Sequence, residues 1–449
     1  MSATETGSAA TAKSGDRTGA EPAWKRVADD QMRRGAFRRT LPVWGAAFVV
    51  LMIMPLLFSS AVGVTIMNQM GISIVFALSY NMLLGQGGML SFGHAVYFGL
   101  GGFLSVHVMN YVEYDGWWLP LPLLPFVGGL FGLAFAIPIG SFSTRRAGTV
   151  FAMISLGVGE LVAACSIIFV AFFGGEEGVS GDRTMGPPVF GSEFLSEVEV
   201  YYLIAGIVLV AALFMYLFSR TPAGRMANAV RDNEERAEFV GYSQRYVRFV
   251  SFCASGFFAG MAGGLFAINY EILTEENLNL VTSGWVLLMA FIGGVGFFVG
   301  PIVGAIVLTL LQTVLSNHTE LWQLYVGILF VLTVMYAPRG LTGLVAMHGP
   351  ALRTGRLGIL ARAYGAAVVP LLAFLAGVVL LLEMGNVANQ SVVGESEAHV
   401  FGLTLDVSTV APWLVALALA AGGGYALVRL APRLRDAFAR ATGQAGAAS

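Results

Sequence analysis

The sequence predicts an all-α polytopic membrane protein: a transmembrane helical bundle of about ten core spans plus two extra C-terminal spans, with both termini cytoplasmic. Three observations lead there. Hydrophobic residues make up 56% of the 449 residues and charged residues 12%, where a soluble globular chain carries about 45–50% and ~25%. With a mean hydropathy of +0.74, the chain has too few charges to cover its apolar surface in water. Apolar runs of spanning length recur, and basic and acidic connections alternate between them.

Residues 1–40 form a polar tail with no cleavable signal pattern. Its first 23 residues are rich in Ala, Ser, Thr and Gly, a composition that favours disorder. Residues 24–40, WKRVADDQMRRGAFRRT, are basic, with Trp24, Val27 and Phe37 interspersed. They suit a short helix on lipid headgroups or a solvated tail. The apolar runs follow at about 41–59, 62–84, 88–112, 118–140, 147–173, 201–219, 248–270, 281–298, 301–316, 321–337, 364–383 and 409–429.

A cytoplasmic N-terminus places the tail, 141–146, 220–247, 338–363 and 430–449 inside, with short turns near 85 and 299. Of the 25 lysines and arginines only Arg183 falls outside these segments, counting Arg248 and Arg429 at their edges. The outer connections collect acids, including Glu113, Asp115, Glu176, Glu177, Asp182, Glu197, Glu271 and Glu276. One missed or invented helix would scramble this partition.

Several function classes drop out. The only lysines are Lys13 and Lys25, and neither has the Gly-x-x-x-x-Gly-Lys-Ser/Thr context of a P-loop. Cys165 and Cys253 both sit in apolar runs, which speaks against a disulfide framework or a zinc site. The five histidines, His94, His107, His318, His348 and His399, are scattered, so no metal site or cofactor is expected. No pattern suits nucleic-acid recognition.

Ionisable groups inside the apolar runs are few. Glu160 lies mid-span and His94 near a span break. An intramembrane carboxylate costs roughly 2.5–3.5 kcal/mol on insertion scales, which makes it a functional candidate; a protonated or backbone-paired packing group is the other reading. A stand-alone ion-coupled carrier or channel would have to work with Glu160 and His94.

The connection at 219–248, SRTPAGRMANAVRDNEERAEFVGYSQRYVR, reads as one short amphipathic helix. Pro222 and Gly224 start it and Gly241 ends it. Met226, Val230, Ala237 and Val240 share one face, and Asp232 and Arg236 form an i,i+4 pair. Such a helix beneath the membrane suits docking into a partner's groove or lying solvated at the interface.

Glycine interrupts two other runs. The first, NMLLGQGGMLSFGHAVYFGLGGF, adds the polar cluster Asn81, Gln86, Ser91 and His94. The second, FIGGVGFFVGPIVGAIV, carries Gly293, Gly294, Gly296, Gly300, Pro301 and Gly304, with 296, 300 and 304 at the spacing that lets helix backbones touch. Paired interruptions in the two halves of a transporter point toward a translocation site; packing alone also explains glycine spacing.

GQGGMLSFGHAVYFGLGGF (85–103), GRMANAVRDNEERAEFVGY (224–242), SGFFAGMAGGLFA (255–267), GGVGFFVGPIVGA (293–305) and APRGLTGL (337–344) occur in that order. Together they resemble the LivM-type membrane subunit of branched-chain amino acid ABC transporters, over about residues 60–345. The resemblance implies a permease domain over 41–345 whose loop 219–248 couples to an ATPase through Gly224, Arg225, Arg231, Asp232, Asn233, Glu234 and Gly241. It implies a substrate path beside Asn81, Gln86, Ser91, His94 and Glu160, with helix packing or hinging at the second glycine cluster. Implied partners are two cytoplasmic ATPase subunits, a second related permease and a periplasmic or lipid-anchored binding protein docking near 174–200, in a bacterial inner membrane. Urea, amides and organic acids stay open as substrates. Residues 346–449 form an extension with two further spans and no role that the resemblance supplies.

Overall fold

A computed structural model describes residues 41–188, 191–353, 355, 357–390, 397–400 and 403–442; the polar tail 1–40 lies outside them. The chain divides into two units, Met1–Phe58 and Ser59–Ser449. The described part of the first is one apolar helix, α1 (Leu41–Leu57).

The second unit is built from helices. They are α2 (Ala61–Asn81), α3 (Ala95–Asp115), α4 (Leu124–Ser143), α5 (Gly148–Ile168), α6 (Val170–Phe173), α7 (Glu197–Arg220), α8 (Pro222–Asp232), α9 (Glu234–Phe239) and α10 (Gln244–Tyr270). There follow α11 (Leu280–Gly293), α12 (Gly300–Ser316), α13 (Trp322–Tyr336), α14 (Gly340–Met347), α15 (Gly349–Arg353), α16 (Leu357–Gln390) and α17 (Val410–Thr442). Among the described residues, eight helices are long and apolar enough to cross a membrane. A ninth arises if α13 and the helical stretch from Gly340 to Leu352, bent by 47° after Pro338, count as one.

Each of the twelve apolar runs is helical, but several bounds differ from expectation, and α16 and α17 run well beyond the expected 364–383 and 409–429. The run at 88–112 becomes helical only at Ala95, for reasons given below. The run at 147–173 breaks at Phe169 (φ −87°, ψ 63°), leaving α6 as a single turn. α11 and α12 hold 14 and 17 residues, about 21 and 25 Å at 1.5 Å per residue, and each is shorter than a ~30 Å hydrocarbon core.

Local chemistry sets the helix starts. Ser60 caps α2 by accepting from the Gly63 N–H, and Ser196 caps α7 from Glu199, with Glu197 and Glu199 at the favourable end of the dipole. Asn279 caps α11, and Pro301 sits in the first turn of α12.

Glycine lets α3, α4 and α10 pack backbone to backbone. A Cβ on Gly128 would lie 2.7 Å from the Gly260 carbonyl, and one on Gly101 would lie 2.5 Å from the Gly260 Cα. Gly132 and Gly256 extend the same seam. In lipid, where apolar burial gives helices little reason to associate, such backbone approach supplies the dispersion contacts that do.

Two short antiparallel ladders lie in the connections: β1 (Val179–Ser180) on β2 (Ile272–Leu273), and β3 (Glu397–Val400) on β4 (Leu403–Asp406). The C-terminal helices α16 and α17 pack as a hairpin through Gly377 and Gly423. Glu383 of α16 joins them to the preceding helices by accepting from Thr319 Oγ1 (2.6 Å) and the Tyr325 hydroxyl (2.8 Å).

Candidate coupling and translocation site

The first glycine cluster builds a re-entrant backbone. After Asn81 the helix widens into a π-turn over Met82–Gln86, a rare form that is frequent at functional sites. Gly88 then takes φ +65°, which glycine adopts without strain, and residues 89–94 run non-helically back alongside α2. The Tyr80 hydroxyl donates to the Ser91 carbonyl (3.0 Å), and the His94 ring stacks on Phe76 (5.4 Å, 13°). His94 is therefore level with residues up to about one and a half turns inside the end of α2.

Non-helical backbone at that depth must be satisfied by protein. Two serines from other helices help: Phe92 N–H donates to Ser155 of α5, and Ala95 N–H to Ser283 of α11, both at 3.0 Å. A helix beginning near residue 88 would bury those donors inside its own first turn, and the distant hydroxyls stabilise the alternative. The Ser79 hydroxyl donates to the Phe76 carbonyl at 2.7 Å, so its lone pair receives His94 Nε2–H at 2.9 Å. That network assigns the Nε2–H tautomer and leaves Nδ1 as an acceptor. Asn81 Oδ1, Gln86 Oε1, Ser91 Oγ and His94 Nδ1 are buried without a hydrogen-bond partner among the described residues.

The 219–248 connection is two helices rather than one. Thr221 caps α8, accepting from the Gly224 N–H, with Pro222 as first residue. Asn233 (φ −161°, ψ 106°) ends α8 and caps α9, accepting from the Arg236 N–H at 2.9 Å. The break rearranges the expected apolar face. Ala227, Val230 and Ala237 bury against Val247 of α10, with Met226 half-buried, whereas Val240 is 69% exposed. Asp232, expected to pair with Arg236, pairs with Arg231 (2.8 Å) across the end of α8. Phe239 is 91% exposed, so the side facing away from the bundle shows an apolar patch among charges.

Arg231 connects this loop to the glycine break. Its guanidinium donates to the carbonyl of Gly85, the last residue but one of the π-helix, and its Cγ lies 2.7 Å from where a Gly88 Cβ would stand. Arg248, buried at 6% exposure in α10, pairs with Glu234 of α9. Arg225, Asn233, Glu234 and Gly241 are exposed, Gly224 is buried against α7, and Gly241 has φ +88°.

The second cluster shapes a tight antiparallel turn between α11 and α12. A Cβ on Gly293 would collide with the Gly300 carbonyl, one on Gly300 with Gly294, and one on Gly304 with the Met289 carbonyl. Gly296 faces open space instead: it lies in the turn, outside the helical register that the spacing of four assumed. The two clusters meet, since a Cβ on Gly85 would approach the Val295 carbonyl at 2.6 Å. Glu160 is apart from both, exposed on α5; no hydrogen bond or ion pair links it to His94 among the described residues.

Arg183, the exception to the charge partition, is buried at 8%. It donates to Glu197 (2.9 Å) and to the carbonyls of Phe194, Ile268 and Asn269, and its backbone N–H reaches Glu271 (2.9 Å). It ties the 174–200 connection to the end of α10, where Glu271 holds a left-handed φ of 55°. Next to it, the hydroxyl and backbone N–H of Thr184 hold the Asp182 carboxyl below its usual range. Neither Arg183 nor Arg248 was singled out from sequence; the one cation among acidic loops was the available signal for the first.

The family described as branched-chain amino acid transport system / permease component matches residues 62–334, more than half of the chain. The chain is similar to the high-affinity branched-chain amino acid transport system permease protein LivM of Escherichia coli K12, 27% identical over 293 residues, 60% of this chain and 67% of that protein. Similarity to LivM of Salmonella typhimurium is 27% over 319 residues, 66% and 73%. For the probable branched-chain amino acid transport permease protein LivM of Methanocaldococcus jannaschii the figures are 24% over 322 residues, 60% and 90%. No solved structure matches the chain significantly. The chain is a multi-pass membrane protein and belongs to the branched-chain amino acid transport permease family.

Proposed function

We propose that this chain is one half of the translocation pore of an ATP-binding-cassette importer for branched-chain amino acids in a bacterial cytoplasmic membrane. Two cytoplasmic ATPase subunits energise it, a second related permease completes the pore, and a periplasmic or lipid-anchored binding protein delivers solute near 174–200. Both termini lie on the cytoplasmic side with the basic connections. The permease domain spans residues 41–345, and 346–449 forms an appended pair of spans.

The observation that carries the coupling role is the bond from Arg231 to the Gly85 carbonyl. It makes one mechanical line from α8, through the π-turn and residues 89–94, to His94 beneath Phe76. Movement of α8 by an ATPase would pull on non-helical backbone, which yields at its φ and ψ angles more readily than a helix. The exposed Phe239 and Val240 beside Arg225, Asp232 and Glu234 suit a groove on such a partner. A stand-alone ion-coupled carrier finds less support, because no hydrogen bond or ion pair among the described residues joins Glu160 to His94.

Purification of the chain in mild detergent from its native membrane, with co-purifying proteins identified by mass, tests the reading. A P-loop ATPase and a second permease should accompany it, and Asp232→Ala should weaken retention of the ATPase. A chain that emerges alone or as a homo-oligomer would refute the assembly.

A further inference from the structure

The end of the bundle farthest from α8 holds a cavity of about 450 Å³, within the usual range for small-molecule sites. Four residues of α2 at helical spacing, Gln69, Ile72, Ser73 and Phe76, form one wall. The connection between α10 and α11 and the first turns of α11 and α13 form its rim. The 27 residues of α10, roughly 40 Å of helix, separate it from the coupling loop.

Its chemistry is selective. Phe98, Phe266 and a stacked Trp285–Trp322 pair (5.5 Å, 13°) supply aromatic faces. The carboxamides of Gln69, Gln312 and Gln323 supply both donors and acceptors, and Asn277 and Asn279, whose oxygens accept from the backbone N–H groups of Thr274 and Thr282, add N–H donors. Glu276, at the rim, is the one charged side chain among the lining residues, and it is exposed. Carboxamide N–H groups can hold a carboxylate whose charge an ammonium group already balances. An organic dianion would meet Glu276 and no cation, and a small polar solute such as urea would leave the aromatic walls unused. Phe76 faces the cavity from its floor and stacks on His94 beneath it.

We infer that this cavity is a solute-binding chamber within the single subunit, selective for small zwitterions with an apolar side group and against organic anions. This rests on the importer reading above, which already names the solute class, and adds the site that would hold it. Phe76 is its floor, and the His94 segment beneath couples that floor to α8.

The test uses the complete transporter with its ATPases, partner permease and binding protein in proteoliposomes. Binding-protein-stimulated ATP hydrolysis is measured first, and its absence in the unaltered complex would refute the importer reading itself. Where stimulation is present, Ser73→Trp should lower radiolabelled leucine uptake at least tenfold while the complex still assembles. Ser73→Cys, in a background with Cys165 and Cys253 replaced by serine, should react with a water-soluble thiol reagent. Leucine should slow that reaction severalfold and succinate should not. Full uptake by Ser73→Trp, or labelling that leucine leaves unchanged or succinate slows equally, would overturn the chamber while leaving the importer reading intact.

Discussion

Arg231→Met isolates the proposed transmission step. Methionine keeps most of the stem that packs over Gly88 and removes the guanidinium that holds the Gly85 carbonyl. A hydrogen bond to a charged donor contributes roughly 1.5–3 kcal/mol. Arg231 is 36% exposed, so water replaces part of that bond, and about 1–2 kcal/mol is a fair expectation. Its pair with Asp232, 68% exposed, adds little. One to two kcal/mol of lost coupling corresponds to roughly a five- to thirtyfold shift between coupled and uncoupled arrangements. The assay is solute uptake per ATP hydrolysed in proteoliposomes. Hydrolysis should persist while uptake falls by that factor, and an unchanged ratio would refute the line from α8 to the glycine break.

Four further outcomes follow. Glu234→Ala should lower the melting temperature in detergent more than Arg248→Met: the first strands a cation buried at 7% exposure, the second strands a carboxylate 45% exposed that water can solvate. Gly304→Ala forces a Cβ into the Met289 carbonyl and should destabilise by about 1–3 kcal/mol, whereas Gly284→Ala, with nothing within 4 Å, should fold normally. Arg183→Ala should expose the 174–200 connection to protease, because several carbonyls and Glu197 lose their donor together. Glu160→Gln should retain transport, and complete loss at normal expression would place Glu160 in the mechanism.

What was legible in the sequence was what local composition and period encode. The apolar runs became helices because hydropathy decides that outcome residue by residue. The departure at 89–94 was not legible, since the hydroxyls that stabilise it belong to Tyr80, Ser155 and Ser283, up to 188 residues away. The break at Asn233 could have been found. An asparagine followed by Glu234 and Glu235 is an N-cap with an acidic first turn, and the apolar period from Met226 to Val240 outweighed it. Glycine spacing identified the α11–α12 turn but included Gly296, because a count of four assumes continuous helix. The seam of Gly128, Gly132, Gly256 and Gly260 carried the same spacing and also packs backbone to backbone. Arg183 illustrates a rule read too coarsely: the positive-inside partition concerns free loop charge, and this cation is already bound by two carboxylates.

The energy source of transport tests the central claim most directly. Leucine uptake is followed in proteoliposomes holding the assembled complex and loaded binding protein, with ATP inside and the proton gradient set independently. ATP alone should drive uptake, and collapsing the proton gradient should leave it unchanged. Uptake that persists without ATP and disappears with the proton gradient would contradict the account and favour a carrier working through its own ionisable groups.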